Sequence, residues 1–344
     1  MKRFLALALA LVMVVSMAAC SSNTPAPATE KPKDSGAGAT QAAQPQEAEK
    51  KTVKIGVTNC SDTDTFTKLV ADTLKEMIEK KHPDWDATFV GAEMDSSIQI
   101  AQTETFIAAG CNYICLSSAD TEGSTPCLDL CLQNNIPFIN YVNPVSGDEK
   151  TYTYVGGDNP TCGYDIAKFA ADKLPQNAKV CIMEGDPGAQ NGLIRRDGLV
   201  KGLKELRPDV EVIASQTAYW SREDGMSLME DWLEAYGEDG IDAVFCMNDN
   251  MALGAVEAIK AHNIENGKIM VTGCDGTEDA WQYIKEGSMT MSMFYNHVAQ
   301  ATGVLTILEK LVDNGASAAD WIYTNFEVVD SSNVEQYLAE YYGK

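Results

Sequence analysis

Apolar positions along this chain follow two alternating rhythms. Short runs such as Val53-Lys54-Ile55-Gly56-Val57, Thr88-Phe89-Val90, Tyr113 to Leu116 and Phe138-Ile139-Asn140-Tyr141 read as strands. Between them apolar residues recur at helical spacing. Phe66, Leu69, Val70, Leu74, Met77 and Ile78 define one helix, which His82-Pro83-Asp84 stops, and further helices are expected from about Ser97 to Ala109 and Thr125 to Gln133. After Tyr152-Thr153-Tyr154-Val155-Gly156 the rhythm restarts. Helices Gly163 to Leu174, Gly192 to Leu206, Gly225 to Tyr236 and Ala252 to His262 alternate with strands Lys179 to Met183, Val210 to Ala214, Ala243 to Met247 and Lys268 to Thr272. A helix from Val298 to Val312 and strands near Met291 and Glu327 come late and complete the lobes. Alternation of this kind implies parallel sheets covered by helices on both faces. Two such runs predict a two-lobed α/β protein, with Rossmann-like lobes joined by hinge strands. One lobe is expected over 52–156 plus 296–328 and the other over 157–295 plus 329–344.

The first fifty residues do not share the pattern. Lys2 and Arg3 precede an apolar stretch, Phe4 to Val15, and Met17-Ala18-Ala19-Cys20 follows as a small-residue cleavage site. The stretch is too short for a comfortable membrane span and has the flanks of a secretory signal. A cysteine at that junction resembles the lipobox of bacterial lipoproteins, with Met17 in place of the commoner leucine. Residues 1–20 are therefore expected to be a lipoprotein signal peptide, with Cys20 carrying a lipid that anchors the protein to the cell membrane outside the cytoplasm. The alternative is an ordinary signal peptide cut near Ala19. Residues 21–51 are rich in Ala, Pro, Gly, Ser, Gln and Glu and lack aromatic residues, so they are expected to form a disordered tether.

Composition narrows the partners. A net charge of −24 argues against nucleic acid, whose phosphates would be repelled. Nine cysteines remain after Cys20, an odd number, and Cys115, Cys181 and Cys246 sit inside apolar strand-like runs where cysteine behaves as a small buried hydrophobe. No cysteine or histidine spacing matches a zinc motif, so no metal and no cofactor are expected. A monomer is expected.

In open parallel sheets ligands bind beyond the carboxyl ends of strands. The loops there carry Ser61 to Phe66, Glu184 to Asn191 with Arg195 one turn on, Ala218-Tyr219-Trp220, Asn248-Asp249-Asn250, Gly273 to Gly276, and Tyr295-Asn296. Carboxylates, amides and guanidinium groups make planar, often bidentate hydrogen bonds that suit vicinal hydroxyls. An aromatic ring can cover the apolar face of a pyranose.

The stretches Thr217 to Trp220, Met229 to Leu233, Asn248 to Ala258 and Gly273 to Thr277 resemble periplasmic galactose/glucose-binding proteins, of the ribose/hexose branch of the type I periplasmic-binding-protein fold. The resemblance covers essentially all of the chain after the tether. It implies that Asp64, Phe66, Asn143, Asn191, Arg195, Trp220, Asn248, Asp275 and Tyr295 contact a ligand. Three departures stand out. Ala189 replaces a histidine, Tyr295 stands where an amide is usual, and Asn143 is displaced by one position. The calcium-binding loop of enteric galactose binders has no counterpart at Leu174 to Lys179.

The expected function is capture of a monosaccharide for an ABC permease and its ATPase. A hexose such as galactose or glucose is favoured, and a pentose such as ribose is possible. The chain has no nucleotide-binding G-x-x-x-x-G-K-[ST] run of its own. The alternative is a sensor that presents a sugar or furanose signal to a membrane receptor. An enzyme is disfavoured, because the three histidines, 82, 262 and 297, form no triad or metal spacing and there is no serine-nucleophile elbow.

Overall fold

The computed structural model describes residues 52–147, 151–315 and 321–344. The expected signal peptide, Cys20 and the whole of the expected tether lie outside them. The first lobe begins with β1 (Lys54–Asn59), α1 (Thr65–Lys81), β2 (Asp86–Gly91), α2 (Ser96–Ala108), β3 (Tyr113–Leu116), α3 (Thr125–Gln133), β4 (Phe138–Tyr141) and β5 (Thr153–Gly157). The chain then builds α4 (Asn159–Ala171), β6 (Lys179–Glu184), α5 (Gln190–Leu206), β7 (Glu211–Thr217), α6 (Arg222–Tyr236), β8 (Ala243–Cys246), α7 (Asp249–Ala261), β9 (Met270–Asp275), α8 (Glu278–Lys285) and β10 (Met291–Tyr295). It closes with α9 (His297–Asn314), β11 (Trp321–Thr324), β12 (Phe326–Asp330) and α10 (Val334–Tyr342).

These strands form two six-stranded sheets, ordered β11-β5-β4-β3-β1-β2 and β12-β10-β9-β8-β6-β7. All neighbours are parallel except β10 and β12. Two α/β lobes are therefore present, as the alternation predicts. One face of the first sheet packs Ile55 and Val57 against Val70 and Leu74 of α1 and Val304 and Leu308 of α9. Its other face packs Ile114 and Leu116 against Phe106 of α2 and Leu128 of α3. A single larger core joins Val180, Ile182, Val244, Phe245 and Val271 of the second sheet to helices on both of its sides. Among the described residues no helix is long and apolar enough to cross a membrane.

The chain passes between the sheets after β5, after β10 and between β11 and β12. The last crossing corrects one expectation. Phe326 to Val328, assigned above to the first lobe, pair antiparallel with β10 in the second sheet, so the change of lobe falls at Asn325. Gly157 likewise belongs to β5 of the first sheet.

Helix starts expected at glycines also shift. Asp158, Ser221 and Asn248 cap α4, α6 and α7 through their side chains, several residues before Gly163, Gly225 and Ala252. Gly163 instead lies where α4 crosses α5, and a Cβ there would be driven into the Arg195 carbonyl. It permits close helix packing rather than starting a helix.

Candidate functional site

All nine residues expected to contact a ligand line one cavity between the lobes, at the carboxyl ends of strands. Asp64 and Phe66 follow β1, Asn143 follows β4, and Asn191 and Arg195 follow β6. Trp220 follows β7, Asn248 follows β8, Asp275 ends β9 and Tyr295 ends β10. Cys60, Thr67, Met94 and Val142 complete the lining and were not anticipated. Met94 comes from the loop after the edge strand β2. Thr67 is legible afterwards as the partner of Asp64.

Each polar group is held in its own way. Asp64 caps α1, accepting from the Thr67 amide at 2.8 Å and the Thr67 hydroxyl at 2.7 Å, while burial raises its pKa against these bonds. Asn248 caps α7, accepting from the Met251 amide at 2.9 Å, and its Nδ2 donates to the Trp220 carbonyl at 3.2 Å. Arg195 is 2% exposed. Its Nε and Nη2 donate to Asn159 Oδ1 at 3.2 and 2.8 Å, its Nη1 donates to the Met247 carbonyl, and its guanidinium lies 5.6 Å from the Phe326 ring centroid. Burial alone would lower its pKa, but Cys274, Cys162, Asp275 and Tyr295 around it outweigh that and keep it protonated.

Asp275 differs from the rest. Its side chain lines the cavity, and among the described residues no donor reaches its carboxyl. Burial raises its pKa well above the usual carboxylate range, Cys274, Asp249 and Asp64 push the same way, and Arg195 opposes them. A buried carboxylate without a donor is costly. The loop that presents it is fixed by a second carboxylate. Asp249 accepts from the Gly276 amide at 2.9 Å, the Thr277 amide at 2.8 Å, the Thr277 hydroxyl at 3.1 Å and the Ser292 hydroxyl at 2.7 Å. Asp275 itself has φ 131°, and Val142 and Trp220, also in the lining, have φ 57° and 64°. Positive φ is an outlier for a β-branched or bulky residue, and such strain gathers at functional sites. The Tyr154 hydroxyl donates to the strained Val142 carbonyl at 2.7 Å.

Aromatic walls enclose these groups. The Phe66 and Tyr295 rings stack at 4.7 Å and 13°, and Tyr295 stacks in turn on Phe326 at 4.5 Å. This ladder sits at two of the lobe crossings. Gly157 lies under it, and a Cβ there would meet both Phe326 and Tyr295. In the second lobe the Trp220 ring lies against Gly185 and Gly192, where any Cβ would collide with it.

The lobes touch directly around the cavity. Asn191 Nδ2 donates to Asn143 Oδ1 at 2.8 Å. The Thr121 amide donates to the Gly188 carbonyl at 2.9 Å, and the Gln190 amide donates to Thr121 Oγ1 at 3.1 Å. Asn250 Nδ2 reaches Thr65 Oγ1 at 3.2 Å. In this closed arrangement the cavity measures about 30 Å³, room for about one or two waters. A ligand of several carbons enters only if these few hydrogen bonds part.

The nine described cysteines are free. Cys162 and Cys274 lie 4.0 Å apart, sulfur to sulfur, behind Arg195.

Two parallel-sheet lobes that close over a polar, aromatic-walled cavity define the class of two-lobed solute-binding proteins. The sequence profile of the periplasmic binding protein domain matches residues 55–316. The ribose import binding protein of Bacillus subtilis is 31% identical over 256 residues, covering 74% of this chain and 80% of the relative. The xylitol-binding protein of Mycolicibacterium smegmatis is 26% identical over 301 residues, covering 82% and 84%. Among solved structures, a solute-binding protein of an ABC transporter from Bacillus halodurans with bound myo-inositol superposes with TM-score 0.76 at 28% identity, over 84% of this chain and 98% of that one. A galactofuranose-binding protein superposes with TM-score 0.79 at 21% identity, over 85% and 99%, a likeness of fold. The chain belongs to the periplasmic binding protein family, and that family implies a location outside the cytoplasm.

Proposed function

We propose that this chain is a lipid-anchored solute-binding protein that captures a neutral monosaccharide or cyclic polyol and delivers it to an ABC importer. The observation that carries the proposal is a cavity in which Asp275, with no donor to its carboxyl among the described residues, stands with the Phe66–Tyr295 stack and the Trp220 ring in one lining. A polyol supplies what this arrangement needs. Its hydroxyls donate to Asp275 and Asp64 and accept from Arg195, Asn143, Asn191 and Asn248, while its C–H faces lie on the rings. Two carboxylates against one guanidinium disfavour an anionic ligand such as a sugar phosphate.

The hexose expected from sequence, galactose or glucose, stands beside pentoses and cyclic polyols as candidate ligand, given relatives named for ribose and xylitol and a structural relative with bound myo-inositol. Lipid attachment rests on the Met17-Ala18-Ala19-Cys20 junction alone. We read the chain as a binder rather than a catalyst, since its carboxylates, guanidinium and amides are arranged to grip hydroxyls. A thermal-shift panel of hexoses, pentoses, inositols, nucleosides and amino acids tests the class, because a ligand at a hundred times its Kd stabilises by about 2.7 kcal/mol. Stabilisation by one or more neutral sugars or polyols is expected. A shift with amino acids alone would refute the proposal.

A further inference from the structure

Beyond the inner cavity lies a second compartment of about 610 Å³, which shares Asp64, Met94 and Trp220 with the first. We propose that it is an outer subsite, and that the ligand is a two-ring saccharide or glycoside whose second ring lies there. This rests on the proposed polyol-binding function and extends it.

The compartment is built from both lobes. Ser61 and Thr63 come from the loop before α1 and Thr65 from its first position, and Tyr219 to Glu223, Asn250 and Thr277 to Asp279 come from the second lobe. It stays roomy although the lobes already touch at Thr65 and Asn250, whereas the inner cavity is nearly closed. Its volume falls in the range of small-molecule sites.

Its walls suit a hydroxylated ring. Five hydroxyl side chains, Ser61, Thr63, Thr65, Ser221 and Thr277, line it. Tyr219 lines it too, 56% exposed, an aromatic surface left open to solvent. Tyr219 and Trp220 are consecutive and both have positive φ, 50° and 64°. That strained turn gives Trp220 to both compartments and Tyr219 to the outer one alone. One short segment thus supplies an aromatic side chain to each of the two adjoining compartments.

The charges exclude acidic substituents. Asp64, Glu223, Glu278 and Asp279 line the compartment, and its one cation, Arg222, is already engaged by Glu257 at 2.5 Å and Asp279 at 3.4 Å. A second ring must therefore be neutral rather than phosphorylated or a uronic acid.

Calorimetry on the full chain tests this with galactose, glucose, ribose, allose and myo-inositol, and with lactose, melibiose, maltose and galactinol as two-ring probes. At least one two-ring probe is expected to bind tenfold or more tightly than either of its component rings. Tyr219→Ala should remove that advantage and leave single-ring affinity within twofold. If single rings bind and every two-ring probe binds more weakly, the outer subsite is refuted while the polyol-binding function stands. An equal loss for one and two rings in Tyr219→Ala refutes it as well. If no sugar or polyol of either size binds, the functional proposal falls and the subsite with it.

Discussion

Replacing Asp275 with asparagine should move affinity and stability in opposite directions. The carboxyl lies in a buried residue, has no donor among the described residues, and is raised in pKa first by burial and then by Cys274, Asp249 and Asp64. In the ligand-free protein its charge carries a desolvation cost that Arg195 offsets only in part. Asparagine keeps the size, is no more strained than aspartate at φ 131° and removes the charge, so the free protein should be as stable as wild type or more so, by on the order of 1 kcal/mol. With ligand bound, the carboxylate accepts hydrogen bonds that gain from its charge. Losing that charge costs about 1.5–3 kcal/mol, or roughly ten- to a hundredfold in Kd.

The sign with pH follows from the raised pKa. The folded protein holds this proton more tightly than the unfolded chain. The associated stability is fully present below the unfolded value, near 3.8, and is lost as pH rises through the raised folded value. Affinity runs the other way, growing as the carboxyl ionises. Asp64, also raised by burial, adds a similar dependence, so the difference between wild type and Asp275→Asn isolates Asp275. Calorimetry and chemical denaturation between pH 4 and 8 measure both quantities. Unchanged affinity, or a ligand-free variant less stable by more than 2 kcal/mol, would refute the reasoning.

Three further outcomes are expected. Trp220→Ala should weaken ligand binding by about 1–3 kcal/mol through lost stacking area, with the fold intact by circular dichroism; a loss of fold would show the ring to be structural instead. Gly163→Ala should destabilise by about 1–3 kcal/mol, because a methyl would strike the Arg195 carbonyl at the α4–α5 crossing, and thermal unfolding should shift down by several degrees. Cys20→Ala should move the protein from the membrane fraction to the soluble one, and mass spectrometry of the wild-type N-terminus should show acyl chains.

Much of the fold could be read from hydrophobic period. β3, β4 and α3 fall on their expected residues, because apolar runs between turn residues leave little choice of boundary. Three elements were missed. α8 is only eight residues long, with Ala280, Trp281 and Ile284 buried, Thr277 as its cap and Glu278 and Asp279 in its first turn. α10 buries only Val334 and Leu338. β11 is a four-residue edge strand without a buried residue, so it lacks the apolar signature of an inner strand.

The candidate site was legible as a set of loops, because parallel sheets place strand ends together. How the loops are held was not. Asn159 fixes Arg195, and Asp249 fixes the Asp275 loop, through contacts between residues 36 and about 27 positions apart. No local pattern encodes these contacts. The strained backbones of Val142 and Trp220 are equally hidden, since neither residue type announces a positive φ.

A crystal structure of the protein with the best ligand of the sugar and polyol panel tests the central claim most directly. A ring should lie between Trp220 and the Phe66–Tyr295 pair, with hydroxyls in hydrogen-bond range of Asp275 and Arg195. The Asn143–Asn191 hydrogen bond, 2.8 Å in the closed arrangement, should give way to bonds from each amide to the ligand. A ligand bound outside the cleft, or one in the cleft that leaves the Asp275 carboxylate without a donor, would contradict the claim.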